Sequence, residues 1–159
     1  MSLLVVRAGV RTTIQDLGRP GYAALGVSPS GAADRAALRL ANRLLGNPEG
    51  AAALECTMGG LVVRASSPHW CAVTGARVPI RVDGRPEATG APFFLRAGAE
   101  LMLGMPERGL RSYVAVNGGL LTAELLGSRS EDTLGRIVPC AVVEGEEDIR
   151  LTTWQVPWY

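Results

Sequence analysis

The chain has 159 residues, enough for one domain whose core needs no disulfide or metal staple. Its 16 basic and 15 acidic residues leave a net charge of +1, which excludes the charge footprint of a nucleic-acid or polybasic membrane binder. Every basic residue is arginine, so there is no Walker A lysine, no Schiff base and no lysine to carry biotin or pyridoxal phosphate.

In chain order, "LLVV" at 3–6 and "VRTTI" at 10–14 read as strands. The first run is cut by Arg7, too short for a signal-peptide core, and no apolar stretch approaches the ~20 residues of a membrane span. Together with three cysteines in apolar settings, this predicts reduced thiols and a cytoplasmic home. The loop "QDLGRPGY" follows, turned by Gly18, Pro20 and Gly21. Gln15, Asp16 and Arg19 form a compact polar cluster on it; they are candidates for function, or else for a weak Asp16–Arg19 surface contact.

One principal helix is predicted over about 31–46, starting at Ser30 or Gly31 and stopping at "GNP". Leu38, Ala41 and Leu45 share its apolar face, headed by Asp34. With Gly31 as N-cap, Asp34 occupies the third helical position and accepts backbone N–H bonds. The alternative is that Asp34 also anchors "GVSPSG" and faces a pocket. Arg35, Arg39 and Arg43 step along the opposite face as a solvated flank.

Strand-like runs then recur between glycine turns: "AALECTM", "GLVVRA", "HWCAVTG", "RVPIRVDG", "PFFLRAG", "AELMLGM" and "RSYVAVNGG". Asp83-Gly84 is a hairpin signal. Many short strands with one helix predict a mainly β molecule, a sandwich or closed barrel. In "ALECTM", Leu54, Cys56 and Met58 share one face, which turns Glu55 to the other, towards solvent or a second layer. Cys56, Cys71 and Cys140 read as buried thiols; His69 serves Cys71 only if the fold joins them. Cys3His zinc binding lacks C-x-x-C spacing, so no metal is expected. "LGSRS" places Arg129 and Ser130 on a turn suited to an anion or to a partner's backbone. Trp154, Trp158 and Tyr159 crowd the end of the sequence as an aromatic edge or a docking surface.

Taken together, "TTIQDLGRPGYAALGVSPSGAADRAALRLANRLLGNPEGAAALECTMGG", "AVTGA" at 72–76, "YVAVNGG" at 113–119 and "LGSRSEDTLGRI" at 126–137 resemble the N-terminal half of one family. It is that of the C-type subunit of 5-oxoprolinase, the kinase-inhibitor antagonist KipA and the second subunit of allophanate hydrolase, which includes a carboxyltransferase segment of urea carboxylase. The resemblance implies a cyclophilin-like closed β-barrel over 1–137, an atypical tail over 138–159 and absence of the family's second domain. It implies a kinase-inhibitor-like B-type partner and an A-type partner, in a complex that opens 5-oxoproline to L-glutamate with ATP. The alternatives it implies are a biotin-dependent carboxyltransferase, with carboxybiotin arriving on a separate protein, or a non-catalytic antagonist of a kinase inhibitor. No covalently bound cofactor, nucleic acid or membrane is expected. Within the matching segments Asp16 and Asp34 are the catalytic candidates. Gln15, Arg19, Ser30, Arg129 and Ser130 are substrate-binding candidates, and Gly18, Gly31, Asn42, Asn47, Glu55, Gly118 and Gly119 are structural ones.

Overall fold

The computed structural model describes residues 2–132 and 135, together with the backbone of Asp148–Arg150. Cys140, Trp154, Trp158 and Tyr159 lie outside the described residues, as does most of the tail over 138–159.

The strands are β1 (Ser2–Ala8), β2 (Arg11–Gln15), β3 (Ala53–Thr57), β4 (Leu61–Ala65), β5 (His69–Arg77), β6 (Ile80–Val82), β7 (Arg85–Glu87), β8 (Pro92–Leu95), β9 (Glu100–Leu103), β10 (Arg108–Val116) and β11 (Asp148–Arg150). They form a six-stranded sheet, β11-β1-β4-β9-β6-β7, and a five-stranded sheet, β2-β3-β10-β5-β8. Every pairing is antiparallel. Within the tail, the backbone of β11 pairs with β1 at Ser2↔Arg150.

Alternation explains the core. Leu3, Val5, Leu61, Val63, Leu101 and Leu103 of the first sheet pack on Ile14, Leu54, Val73, Val114 and Val116 of the second in one buried cluster. The expected closed barrel is corrected here: among the described residues no hydrogen-bonded pairing joins the two sheets into a cylinder. Pro79 gives one physical reason. "RVPIRVDG" is not one strand, because Pro79 has no N–H to continue a ladder. The chain leaves the five-stranded sheet after Arg77 and enters the six-stranded one at Ile80. The Asp83-Gly84 hairpin forms as expected, with both residues left-handed (φ 48° and 80°) between the paired Val82 and Arg85.

The single α-helix among the described residues, α1, spans Arg35–Leu44, shorter than the expected 31–46. Ser30 and Gly31 are left-handed (φ 52° and 90°), so neither begins it. Ala33 and Asp34 give their amides to Glu55 and Tyr113 instead of to a helical turn. Asp34 itself is therefore the N-cap, exposed, with Oδ1 accepting from the Ala37 amide at 3.0 Å. Arg39 and Arg43 lie on the solvated flank, each 3.6 Å from Glu49.

The helix forms a third layer on the outer face of the five-stranded sheet. Leu38, Ala41 and Leu45 are buried there against Ala53, Ala72, Tyr113 and Ala115. The small sheet residues let the helix axis come close, and the fully buried Leu38 supplies about 2 kcal/mol of burial. Asn42 and Asn47 fasten its far end. Asn42 donates to the carbonyls of Glu49 and Ala51; Asn47 donates to the Val116 carbonyl and accepts from the Gly118 amide.

Candidate functional site

The strand β2 ends on Gln15, and the next residue starts the loop that the sequence singled out. Asp16 is buried beneath a second loop, 126–130. Its Oδ1 accepts from the Gly18 amide at 2.7 Å and from the hydroxyls of Ser128 and Ser130, each at 2.6 Å. Its Oδ2 accepts from the Arg129 amide at 2.7 Å, and its own amide donates to Ser130 Oγ. Burial alone would raise the carboxyl pKa; the Ser128, Ser130, Arg129 and Gly18 donors outweigh it and hold the group below its ordinary value. This carboxylate ties two loops together.

The expected surface contact between Asp16 and Arg19 is not what holds them. Arg19 is 1% exposed, and its guanidinium donates to the carbonyls of Leu125 and Ser130 and to Ser30 Oγ. Two glycines permit the packing. A Cβ on Gly18 would lie 2.4 Å from the Pro29 carbonyl, and one on Gly31 would lie 2.8 Å from the Gly18 nitrogen. Gln15 Nε2 bonds Thr13 Oγ1 and the Glu131 carbonyl, while the Glu131 amide bonds the Ile14 carbonyl and so covers the β2 edge.

Above this knot, Arg129 lines a cleft of about 290 Å³ with Gly50, Ala51, Gly118 and Gly119. Its Nε donates to the Thr122 carbonyl and its Nη1 pairs with Glu124 at 2.7 Å. A Cβ on Gly119 would come within 3.1 Å of Ala51, so the glycine keeps this wall thin. The structure thus gathers Gln15, Asp16, Arg19, Ser30, Arg129 and Ser130 at one rim. Ser128, at the centre of the knot, was missed; its only signal was its place in "LGSRS".

Asp34 is not in that group. It lies beyond Gly31, at the head of α1, where it faces a different cleft. Glu55, expected towards solvent or a second layer, is buried on the outer, helix-side face of the five-stranded sheet and fully partnered. Oε2 accepts from the Ala33 amide at 2.9 Å and the Tyr113 hydroxyl at 2.7 Å, and Oε1 lies 3.0 Å from Arg111 Nε. The Tyr113 oxygen in turn accepts from the Asp34 amide at 2.7 Å. Burial, then the Glu55 carboxylate, push the phenol pKa up, so Tyr113 stays a protonated donor.

The thiols are core residues. Burial pushes Cys71 up to about 12 and raises Cys56 as well. His69 is buried beside Ser67, 2.9 Å from its hydroxyl, and burial lowers its pKa; it does not activate Cys71. The native chain at pH 8 should leave Cys56 and Cys71 unlabelled by iodoacetamide in peptide mass spectrometry, and denaturant should expose both. Rapid native labelling of Cys71 would overturn the assignment. No cluster of three metal-ligating side chains occurs among the described residues, and none of their helices is long and apolar enough to cross a membrane.

Comparison with known proteins places this geometry. Residues 25–151 match the family model "Carboxyltransferase domain, subdomain A and B". The chain is 45% identical over 130 residues to the C-type 5-oxoprolinase subunit of Escherichia coli (strain K12), covering 82% of this chain and 42% of that one. It is 37% identical over 134 residues to urea amidolyase of Lachancea kluyveri, covering 84% of this chain and 7% of that one. The crystal structure of the Kluyveromyces lactis urea carboxylase superposes with a TM-score of 0.90 at 32% identity, over 94% of this chain and 14% of that one. The chain therefore spans less than half the length of these relatives. With the family model covering most of its length, the chain belongs to the carboxyltransferase domain (subdomain A and B) family.

Proposed function

We propose that this chain is one component of an ATP-dependent 5-oxoprolinase, acting in the cytoplasm with homologues of the kinase-inhibitor-like B-type subunit and of the A-type subunit. The observation that carries the reading is the 45% identity to the C-type 5-oxoprolinase subunit over 130 residues. A lactam amide is unreactive. In the proposed reaction the lactam oxygen takes the terminal phosphoryl group of ATP and releases ADP. Water then adds at the activated carbon, the C–N bond breaks as the ring nitrogen takes a proton and leaves an acyl phosphate, and a second water displaces phosphate from it, yielding L-glutamate.

This chain's part is substrate holding. Arg129 is the cation for the substrate carboxylate: it lines the rim cleft, and its Nη2 makes no hydrogen bond among the described residues. Arg19 has all its reach committed to Leu125, Ser30 and Ser130, so it and Asp16 are positioning residues. Gln15, Ser30 and Ser130 serve the same loops, and Asp34 is left out of the ring-opening step.

The test is co-purification with the A-type and B-type homologues, followed by 5-oxoproline-dependent ATP hydrolysis. Arg129→Ala should leave assembly intact and lower kcat/KM by about ten- to a hundredfold. A complex that lacks this chain and keeps full turnover sinks the reading. The likeness to urea amidolyase supports a second reading, a carboxyltransferase that receives carboxybiotin from another protein. Urea-dependent loss of carboxyl from carboxybiotin, with no response to 5-oxoproline, would select it.

A further inference from the structure

Helix α1 has 10 residues and is about 15 Å long, whereas the nine-residue strands β5 and β10 beneath it run to about 30 Å. One end of the outer sheet face is therefore left uncovered, beyond the head of the helix. A cleft of about 450 Å³ opens there, within the usual range for small-molecule sites. Arg77, Arg108 and Arg111 line it from the sheet, and Asp34 lines it from the helix.

The arrangement is costly unless something occupies it. Arg77 and Arg108 are direct cross-strand partners, a like-charge pairing that sheets avoid. Arg77 Nε is held by Glu107 at 3.1 Å, while Arg108 has no carboxylate partner among the described residues. Arg111 Nε lies 3.0 Å from Glu55 Oε1 but off the hydrogen-bond direction, so the contact is an ion pair that leaves this buried N–H undirected. The strand itself is shaped for the cleft. Between Arg108 and Ser112, β10 carries two more residues than β5, and Gly75 and Gly109 take left-handed conformations (φ 91° and 87°) at the bulge. A Cβ on Gly75 would lie 2.5 Å from the Arg111 carbonyl, so no other residue allows this approach. Across the cleft, Asp34 spends Oδ1 on its helix cap and leaves Oδ2 without a partner among the described residues.

From this charge pattern we propose that the cleft is a binding site for an acidic α-amino acid. The ligand's carboxylates meet the guanidinium groups of Arg77, Arg108 and Arg111, and its ammonium meets Asp34. The inference rests on the cleft alone. In the proposed reaction such an amino acid is the product, but binding is read without turnover, so failure of the reaction and failure of the site are distinguishable.

The test is calorimetric titration of the full 159-residue chain with L-glutamate, glutarate and inorganic phosphate. L-Glutamate should bind at least tenfold more tightly than glutarate, which lacks the ammonium, or phosphate. Arg108→Ala should weaken L-glutamate at least tenfold while Tm stays level or rises, because the like-charge pair is relieved. Asp34→Asn, which keeps a competent helix cap, should reduce the preference for L-glutamate over glutarate to near unity. Arg129→Ala, at the other rim, should leave this binding unchanged. Phosphate binding as tightly as L-glutamate overturns the ligand class. L-Glutamate failing to bind, or binding that Arg108→Ala leaves untouched, overturns the site.

Discussion

Asp16→Ala should lower stability by about 3–5 kcal/mol, a fall in Tm of roughly 10 °C for a chain of this size. The variant strands four donors: the amides of Gly18 and Arg129 and the hydroxyls of Ser128 and Ser130. The hydroxyls can rotate; the two amides are fixed by the loops that the carboxylate holds. Asp16→Asn is the sharper probe. Its carbonyl oxygen can take the three bonds at Oδ1, but its amide nitrogen then meets the Arg129 N–H donor to donor. A smaller loss, about 1–3 kcal/mol, should follow, with the Arg129 backbone displaced. Thermal melts of the three proteins check the order. Equal Tm values would mean that the loops are held by something else.

The same carboxylate sets an acid limit. Its folded pKa lies below its unfolded one, so its stabilisation is complete at neutral pH and is lost as pH falls below about 4 and through the folded value. Asp16→Asn removes that titration. The difference in stability between parent and variant should therefore shrink between about pH 5 and the acid end of a denaturation series, and stay constant from about pH 5 to 8.

The sequence carried the pieces that repeat locally. Alternation placed the strands, Asp83-Gly84 placed a hairpin, and the spacing of Leu38, Ala41 and Leu45 marked the buried helical face. It did not carry closure. Which strands neighbour one another is decided by contacts between distant residues, and the step at Pro79 divides one apparent strand between two sheets. Nor did it fix the head of the helix. Ser30 and Gly31 look like caps, but Glu55 and Tyr113 draw the amides of Ala33 and Asp34 out of the helix, and no local pattern reports a partner 22 or 79 residues away. The rim was legible as two segments, "QDLGR" and "LGSRS", yet their union through Asp16 was not. For the arginine cleft the sequence held one usable sign: Gly75 and Gly109 interrupt strand patterns, which is how bulges announce themselves.

The link between Glu55 and Tyr113 is where stability and the arginine cleft meet. Glu55→Ala removes the acceptor of the Ala33 amide and of the Tyr113 hydroxyl, and the counter-charge of Arg111. Arg111 is partly solvated, so its charge is the cheaper loss; the buried Tyr113 hydroxyl and the part-buried Ala33 amide dominate, and the expected cost is about 3 kcal/mol. Tyr113→Phe keeps the ring packing but orphans the Asp34 amide, for about 1–2 kcal/mol. Because one hydroxyl serves both groups, the losses should not add: a Tyr113→Phe, Glu55→Gln cycle should show a coupling of about 1 kcal/mol. Denaturant melts measure that term. Hydrogen exchange measures the consequence, since the amides of Ala33 and Asp34 should be protected in the parent and exchange faster in either single variant, while those of Gly18 and Arg129 at the other rim keep their protection. If all four amides lose protection together, the two loops form one cooperative unit, and Asp34 is not set independently of the Asp16 knot. If only the first pair does, the stretch 31–34 is a separate clamp whose tension positions Asp34 over the three arginines, and Tyr113→Phe should weaken L-glutamate binding without disturbing the rim.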